Sequence, residues 1–132
     1  MPESGETVRT FVAVLLSEAA AREAERLLDR LRPLARCRWV TRAQLHITLR
    51  FLGELSPAVV ERVRSAVAAV AVQPFDIELH RAGTFPNLAR PRTLWLGGDQ
   101  GASELTALAG RGNDALFEVG IPRNGRPFSP HL

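Results

Sequence analysis

His46 and Thr48 stand two residues apart in "LHITLRFLGE", and a second histidine, His131, sits one residue from the end of the sequence in "RPFSPHL". On a strand, that spacing puts imidazole and hydroxyl on one face, about 7 Å apart at the backbone. An imidazole shuttles protons near neutral pH, and a threonine hydroxyl can donate to a phosphoryl oxygen. One such pair alone is a weak signal, because the polar face of a half-exposed strand carries His and Thr by chance. Histidines on two opposed strands would be different. In-line cleavage of a phosphodiester wants a base on the entering oxygen and an acid on the leaving one, and two imidazoles provide both without a metal.

The remaining inventory calls for no cofactor. It holds no Gly-rich phosphate loop, no carboxylate cluster suited to magnesium, and too few His and Cys for zinc. Cys37 is the one cysteine, so it makes no internal disulfide and reads as structural or incidental. His80, the third histidine, reads as a surface or packing residue. Arg50 is expected on the face of His46 and Thr48, where it would meet a substrate phosphate or face solvent. Arg126 would contact RNA or brace a turn. Trp39, Phe51 and Trp95 offer stacking surfaces for a base, but each reads more readily as core, and strict alternation sends Phe51 inward.

These residues must be positioned by a succession of strands and helices. "TFVAVLL" (10–16) reads as a buried strand, with Ser17 as N-cap of a helix whose stripe is Ala20, Ala24, Leu27, Leu28 and Leu31, ending at Pro33. A short strand at 38–40, a turn and a strand over about 45–52 follow. In the latter Leu45, Ile47, Leu49 and Phe51 should share one face, and Gln44, His46, Thr48 and Arg50 the other. Ser56 and Pro57 open a second helix with the stripe Val59, Val63, Ala66, Val67 and Val70. "FDIELH" alternates as a strand, "GTFPNLARPR" reads as a loop, "TLWLGG" as a strand, and a helix is expected over about 103–117. The order argues for an α+β domain in which helices pack on mainly antiparallel sheet.

With 132 residues, 45% hydrophobic and 23% charged, the chain suits a single domain, 1–132, with one core. All 17 basic residues are arginine against 14 carboxylates, a net charge of +3. Such a bias permits an anionic substrate without demanding one, since no basic run is dense enough to track a phosphate backbone. An acidic N-terminal lead-in argues against a secretory signal, and no apolar segment approaches the roughly 18 residues of a membrane span. The expectation is a soluble, cytoplasmic protein of a reducing compartment with no membrane partner.

Four segments, "RTFVAVLLSE", "RWVTRAQLHITLRFLGE", "GTFPNLARPRTLWLGG" and "RPFSPHL", occur in an order that resembles the RNA 2′,3′-cyclic phosphodiesterase family, also called 2′-5′ RNA ligase-like, of the two-histidine phosphoesterases. The resemblance spans essentially the whole chain. It implies a bilobal fold with pseudo-two-fold symmetry and a cleft lined by two His-x-Thr motifs. It also implies opening of the 2′,3′-cyclic phosphate of an RNA end, or of a cyclic nucleotide, to a 2′-phosphomonoester, with 2′-5′ ligation as the reverse reaction in some members. Carried over, His46 and Thr48 form the first motif and His131 is the histidine of the second. His131 would be the base that activates water, His46 the acid on the departing ribose oxygen, and Thr48 a holder of a phosphoryl oxygen.

The family's second motif continues with a threonine, a following arginine and further sheet, whereas this sequence stops at Leu132. On the resemblance, the second lobe is expected to be incomplete, His131 poorly held and turnover by this chain weak, with a monomer as the full-length form. Two alternatives remain at the level of sequence. One is a nucleotide- or RNA-end-binding module of the same fold without turnover, and the other a plain α+β interaction domain.

Overall fold

The computed structural model describes residues 6–85, 89, 93–123 and 128–132. Ser17 and Ser56 each end one element and start the next. Their hydroxyls accept from the backbone N–H of Ala20 and Val59, satisfying donors that the first turn of a helix leaves unpaired. They open α1 (Glu18–Leu31) and α2 (Pro57–Ala68). Pro57 stands at the start of α2, where its missing N–H is no loss. Strand β1 (Val8–Leu15) leads into α1, and β2 (His46–Leu55) leads into α2. After β3 (Arg81–Phe85) and β4 (Thr93–Gly97) comes α3 (Ala102–Glu118), and 3₁₀ turns lie at Arg32–Leu34 and Arg42–Gln44.

The strands form two antiparallel pairs, β1 with β2 and β3 with β4. Val63, Leu116 and Ile121 are buried together, and Val12, Leu52, Leu55, Val59, Val67 and Val119 pack around them. The core therefore lies between the first sheet, α2 and α3. On α3 the buried residues Leu105, Ala109 and Leu116 recur at helical spacing. Among the described residues no helix is long and apolar enough to cross a membrane.

This is the α+β architecture expected, with three local differences. Residues 38–40 form no strand. They pair with no strand among the described residues, and the Trp39 indole N–H donates to the Ala35 carbonyl. In α1 the buried positions are Ala21 and Ala24, and Ala20 is exposed. The third strand lies later than its alternation suggested. Phe75, Ile77 and Leu79 are more buried than Asp76, Glu78 and His80, as expected, but regular pairing begins only at Arg81. Glu78 and His80 are tied to Gln100 and Gly97 by one backbone hydrogen bond each.

Candidate active site

His46 opens β2 directly after the 3₁₀ turn Arg42–Gln44, which is closed by a capping box between Thr41 and Gln44. Arg42 is also ion-paired to Glu18 at the start of α1. The entry to β2 is thus fixed before the histidine is reached. Pairing with β1 matches Leu15 to His46, Val14 to Ile47 and Ala13 to Thr48. Because β1 alternates regularly, Ala13 and Leu15 share a face, and so do Thr48 and His46.

Beyond Thr48 the alternation of β2 changes phase. Val12 pairs with Arg50 and Ala13 with Thr48, so Leu49 is an extra residue; a second irregularity leaves Leu52 without a partner. A bulge of this kind moves later side chains to the opposite face. Two expectations are corrected by it. Arg50 stands on the core side with Ile47 and Val12, where it donates to the Asn113 side-chain oxygen at 2.8 Å and to the Pro122 carbonyl. Phe51 joins the face of His46 and Thr48 and is 59% exposed.

On that open face Phe11 of β1 lies stacked on His46, with ring centroids 4.7 Å apart and planes 21° apart. Phe51 approaches Phe11 with centroids 5.7 Å apart. Sequence reading passed over Phe11, because its segment resembled a uniformly buried strand. The available signal was its odd-numbered phase, shared with Ala13 and Leu15.

His131 lies beside the second sheet, against β4. Leu132 and Leu96 exchange both backbone hydrogen bonds, at 2.7 and 3.0 Å, as a hydrogen-bonded antiparallel pair does. That register sets His131 beside Gly97, in phase with Trp95. Its ring meets Phe85 edge-on at 5.0 Å and Trp95 at 6.5 Å, and its Nδ1 lies 2.7 Å from the Ser129 carbonyl. If Nδ1 carries the proton in that contact, Nε2 is left to accept. His46 therefore sits on the first sheet and His131 beside the second, each against an aromatic ring.

A narrow recess between the sheets is lined by Ile47, Gly97, Pro130 and His131, among others. It brings the start of β2 and the last residues of the chain to one place. Arg126 lies outside the described residues. Among those described, no three of His, Cys, Asp and Glu gather as metal ligands would. His80 is exposed, as expected.

The LigT-like phosphoesterase family matches residues 14–95, a stretch that includes His46 and Thr48. The chain belongs to this family. A protein of Aquifex aeolicus named RNA 2′,3′-cyclic phosphodiesterase is 34% identical over 128 residues, covering 95% of this chain and 68% of that protein. A protein of the same name from Archaeoglobus fulgidus is 34% identical over 125 residues, with 95% and 70% covered. The crystal structure of E. coli LigT with 3′-AMP superimposes with a TM-score of 0.77 at 29% identity, covering 96% of this chain and 71% of that one. As a LigT-like phosphoesterase the chain has the mixed helix and antiparallel-sheet fold of its relatives, and His46 falls inside the stretch that defines the family.

Proposed function

We propose that this LigT-like phosphoesterase hydrolyses the 2′,3′-cyclic phosphate of an RNA end, or of a cyclic nucleotide, to a 2′-phosphomonoester. The observation that carries the proposal is the pair of histidines, His46 on the first sheet and His131 beside the second, each against an aromatic ring. The names and folds of its relatives support the same reading.

In this reading His131 takes a proton from water as the water oxygen bonds to phosphorus, and the bond from phosphorus to the 3′ oxygen breaks. His46 gives a proton to that departing oxygen, so one water is consumed and both imidazoles end with exchanged protonation. The Thr48 hydroxyl, on the face of His46, donates to a non-bridging oxygen as negative charge grows there. Phe51, exposed beside Phe11, gives the base of the terminal nucleotide a surface to stack on. Arg50 has no part in holding phosphate, because its guanidinium is bonded to Asn113 and Pro122.

The test is incubation with a nucleoside 2′,3′-cyclic phosphate and separation of the 2′- and 3′-monophosphate products. Formation of the 2′ isomer, lost in both His46→Ala and His131→Ala, is expected. Binding of the nucleotide without turnover would make the protein an RNA-end-binding module instead, and a 3′ product would reverse the assignment of the leaving oxygen.

A further inference from the structure

We propose that Arg50 is a positioning residue whose bond to Asn113 locks the register of β2 and so holds His46 and Thr48 toward the open face. This rests on the catalytic reading of His46 and Thr48 given above. Asn113 lies four residues after Ala109 and three before Leu116, on the stripe by which α3 faces the core. An amide stands there in line with apolar residues. Its side-chain oxygen takes a hydrogen bond from Arg50 at 2.8 Å, and the same guanidinium reaches the carbonyl of Pro122, four residues beyond the end of α3. One arginine thus ties β2 both to the helix and to the chain that leaves it.

The need for such a tie follows from the bulges. A strand with irregularities at Leu49 and Leu52 can pair with β1 in neighbouring registers at small cost in backbone hydrogen bonds. Burial of Ile47, 1% exposed, already disfavours a one-residue slip, and a directional polar bond adds to that preference. A one-residue slip would turn His46 and Thr48 from the open face toward the core. It would also pull the guanidinium away from Asn113 and leave polar groups unpaired in a half-buried site, a penalty added to the exposure of Ile47. A polar pair in an apolar interface is suited to fixing register. Arg50 follows the extra residue Leu49 directly, so its anchor acts where the phase of the strand is set.

The experiment compares Arg50→Gln, Asn113→Ala and Asn113→Asp with the parent protein, reading kcat and KM on a nucleoside 2′,3′-cyclic phosphate. The His46 ring-proton shifts are followed by NMR. In the parent they carry the ring current of Phe11, and this readout stands whether or not turnover is measurable. Arg50→Gln and Asn113→Ala should each lower kcat on the order of 10- to 100-fold, the scale on which misplaced groups cost rate. KM should stay nearly unchanged, and the His46 ring protons should lose the Phe11 shift. Asn113→Asp, which keeps an acceptor opposite the guanidinium, should retain both properties.

Raised KM in Arg50→Gln with kcat intact and Asn113→Ala silent would make Arg50 a substrate contact and overturn the proposal. Loss of denaturant stability alone, with the His46 shift and kcat kept, would reduce the pair to a structural one and overturn it equally. Failure of the parent to hydrolyse the cyclic nucleotide would count against the catalytic reading only, since the His46 shifts still decide whether Arg50 holds the strand.

Discussion

The ring of Phe11 lies stacked on the imidazole of His46, 4.7 Å away and 21° from parallel, although the two residues are 35 positions apart in the chain. The contact limits the ring orientations open to His46 on a face that is otherwise exposed, with Leu15 79% and Phe11 41% accessible. An acid aimed at a leaving oxygen gains from such restriction, because its proton must arrive along a narrow range of directions. Phe11→Ala should therefore lower kcat by about tenfold or more. Denaturant stability should fall by only about 1 kcal/mol, the scale of an aromatic pair on a partly exposed face. Phe11→Trp should keep most of the rate. Steady-state kinetics and urea midpoints on the two variants check both statements.

Thr48 shares the face of His46, and no hydrogen bond engages its hydroxyl among the described residues. A hydroxyl held there is available to an incoming oxygen. Thr48→Val keeps the shape and removes the donor, and should lower kcat about 100-fold, as loss of one donor to a developing oxyanion does. Thr48→Ser should remain within a few-fold of the parent. Equal losses in both variants would mean that the methyl group, not the hydroxyl, is what the site uses.

The N-caps bear on stability alone. Ser17→Ala and Ser56→Ala each remove an acceptor from the first turn of a helix, and each should cost about 1 kcal/mol in a urea titration. The caps belong to different helices, so the double variant should show the sum of the two losses. Turnover per folded molecule should be unchanged in all three.

Ser17, Ser56 and Pro57 were legible in the sequence because capping is local, with donor and acceptor only three residues apart. The side-by-side placement of His46 and Thr48 was legible for the same reason, since no irregularity separates them. Arg50 and Phe51 were not. Their facing depends on Leu49 having no partner in β1, and that follows from pairing between strands some 30 residues apart in sequence. The stack of Phe11 on His46 is likewise a product of register. Residues 38–40 carry strand-like side chains but join neither sheet among the described residues, a tertiary outcome that propensity does not contain. The strand Arg81–Phe85 takes in the first three residues of the segment read as a loop from its Gly and Pro content, and Gly83 there admits the ring of Trp95.

Gly83 links that packing to the second histidine. It pairs with Trp95 across β3 and β4, and a Cβ added to it would lie 2.3 Å from the indole Cζ2. The indole covers the glycine as an aromatic side chain often does in paired strands, and its ring centroid stands 6.5 Å from that of His131. Gly83→Ala cannot be absorbed by a flexible side-chain tip, because the obstacle is a fused ring held within the sheet. The indole must move, at a cost of about 1–3 kcal/mol for overpacking, and His131 loses part of the wall that orients it. The variant should combine this loss of stability with a fall in kcat greater than that caused by a Gly53→Ala change. At Gly53 an added Cβ meets nothing within 4 Å, and the φ of +75° alone makes alanine unfavourable. Near-UV circular dichroism should register the displaced indole in Gly83→Ala and not in Gly53→Ala. Unchanged dichroism together with full activity in Gly83→Ala would show that neither the indole nor the second histidine depends on the space that this glycine leaves open.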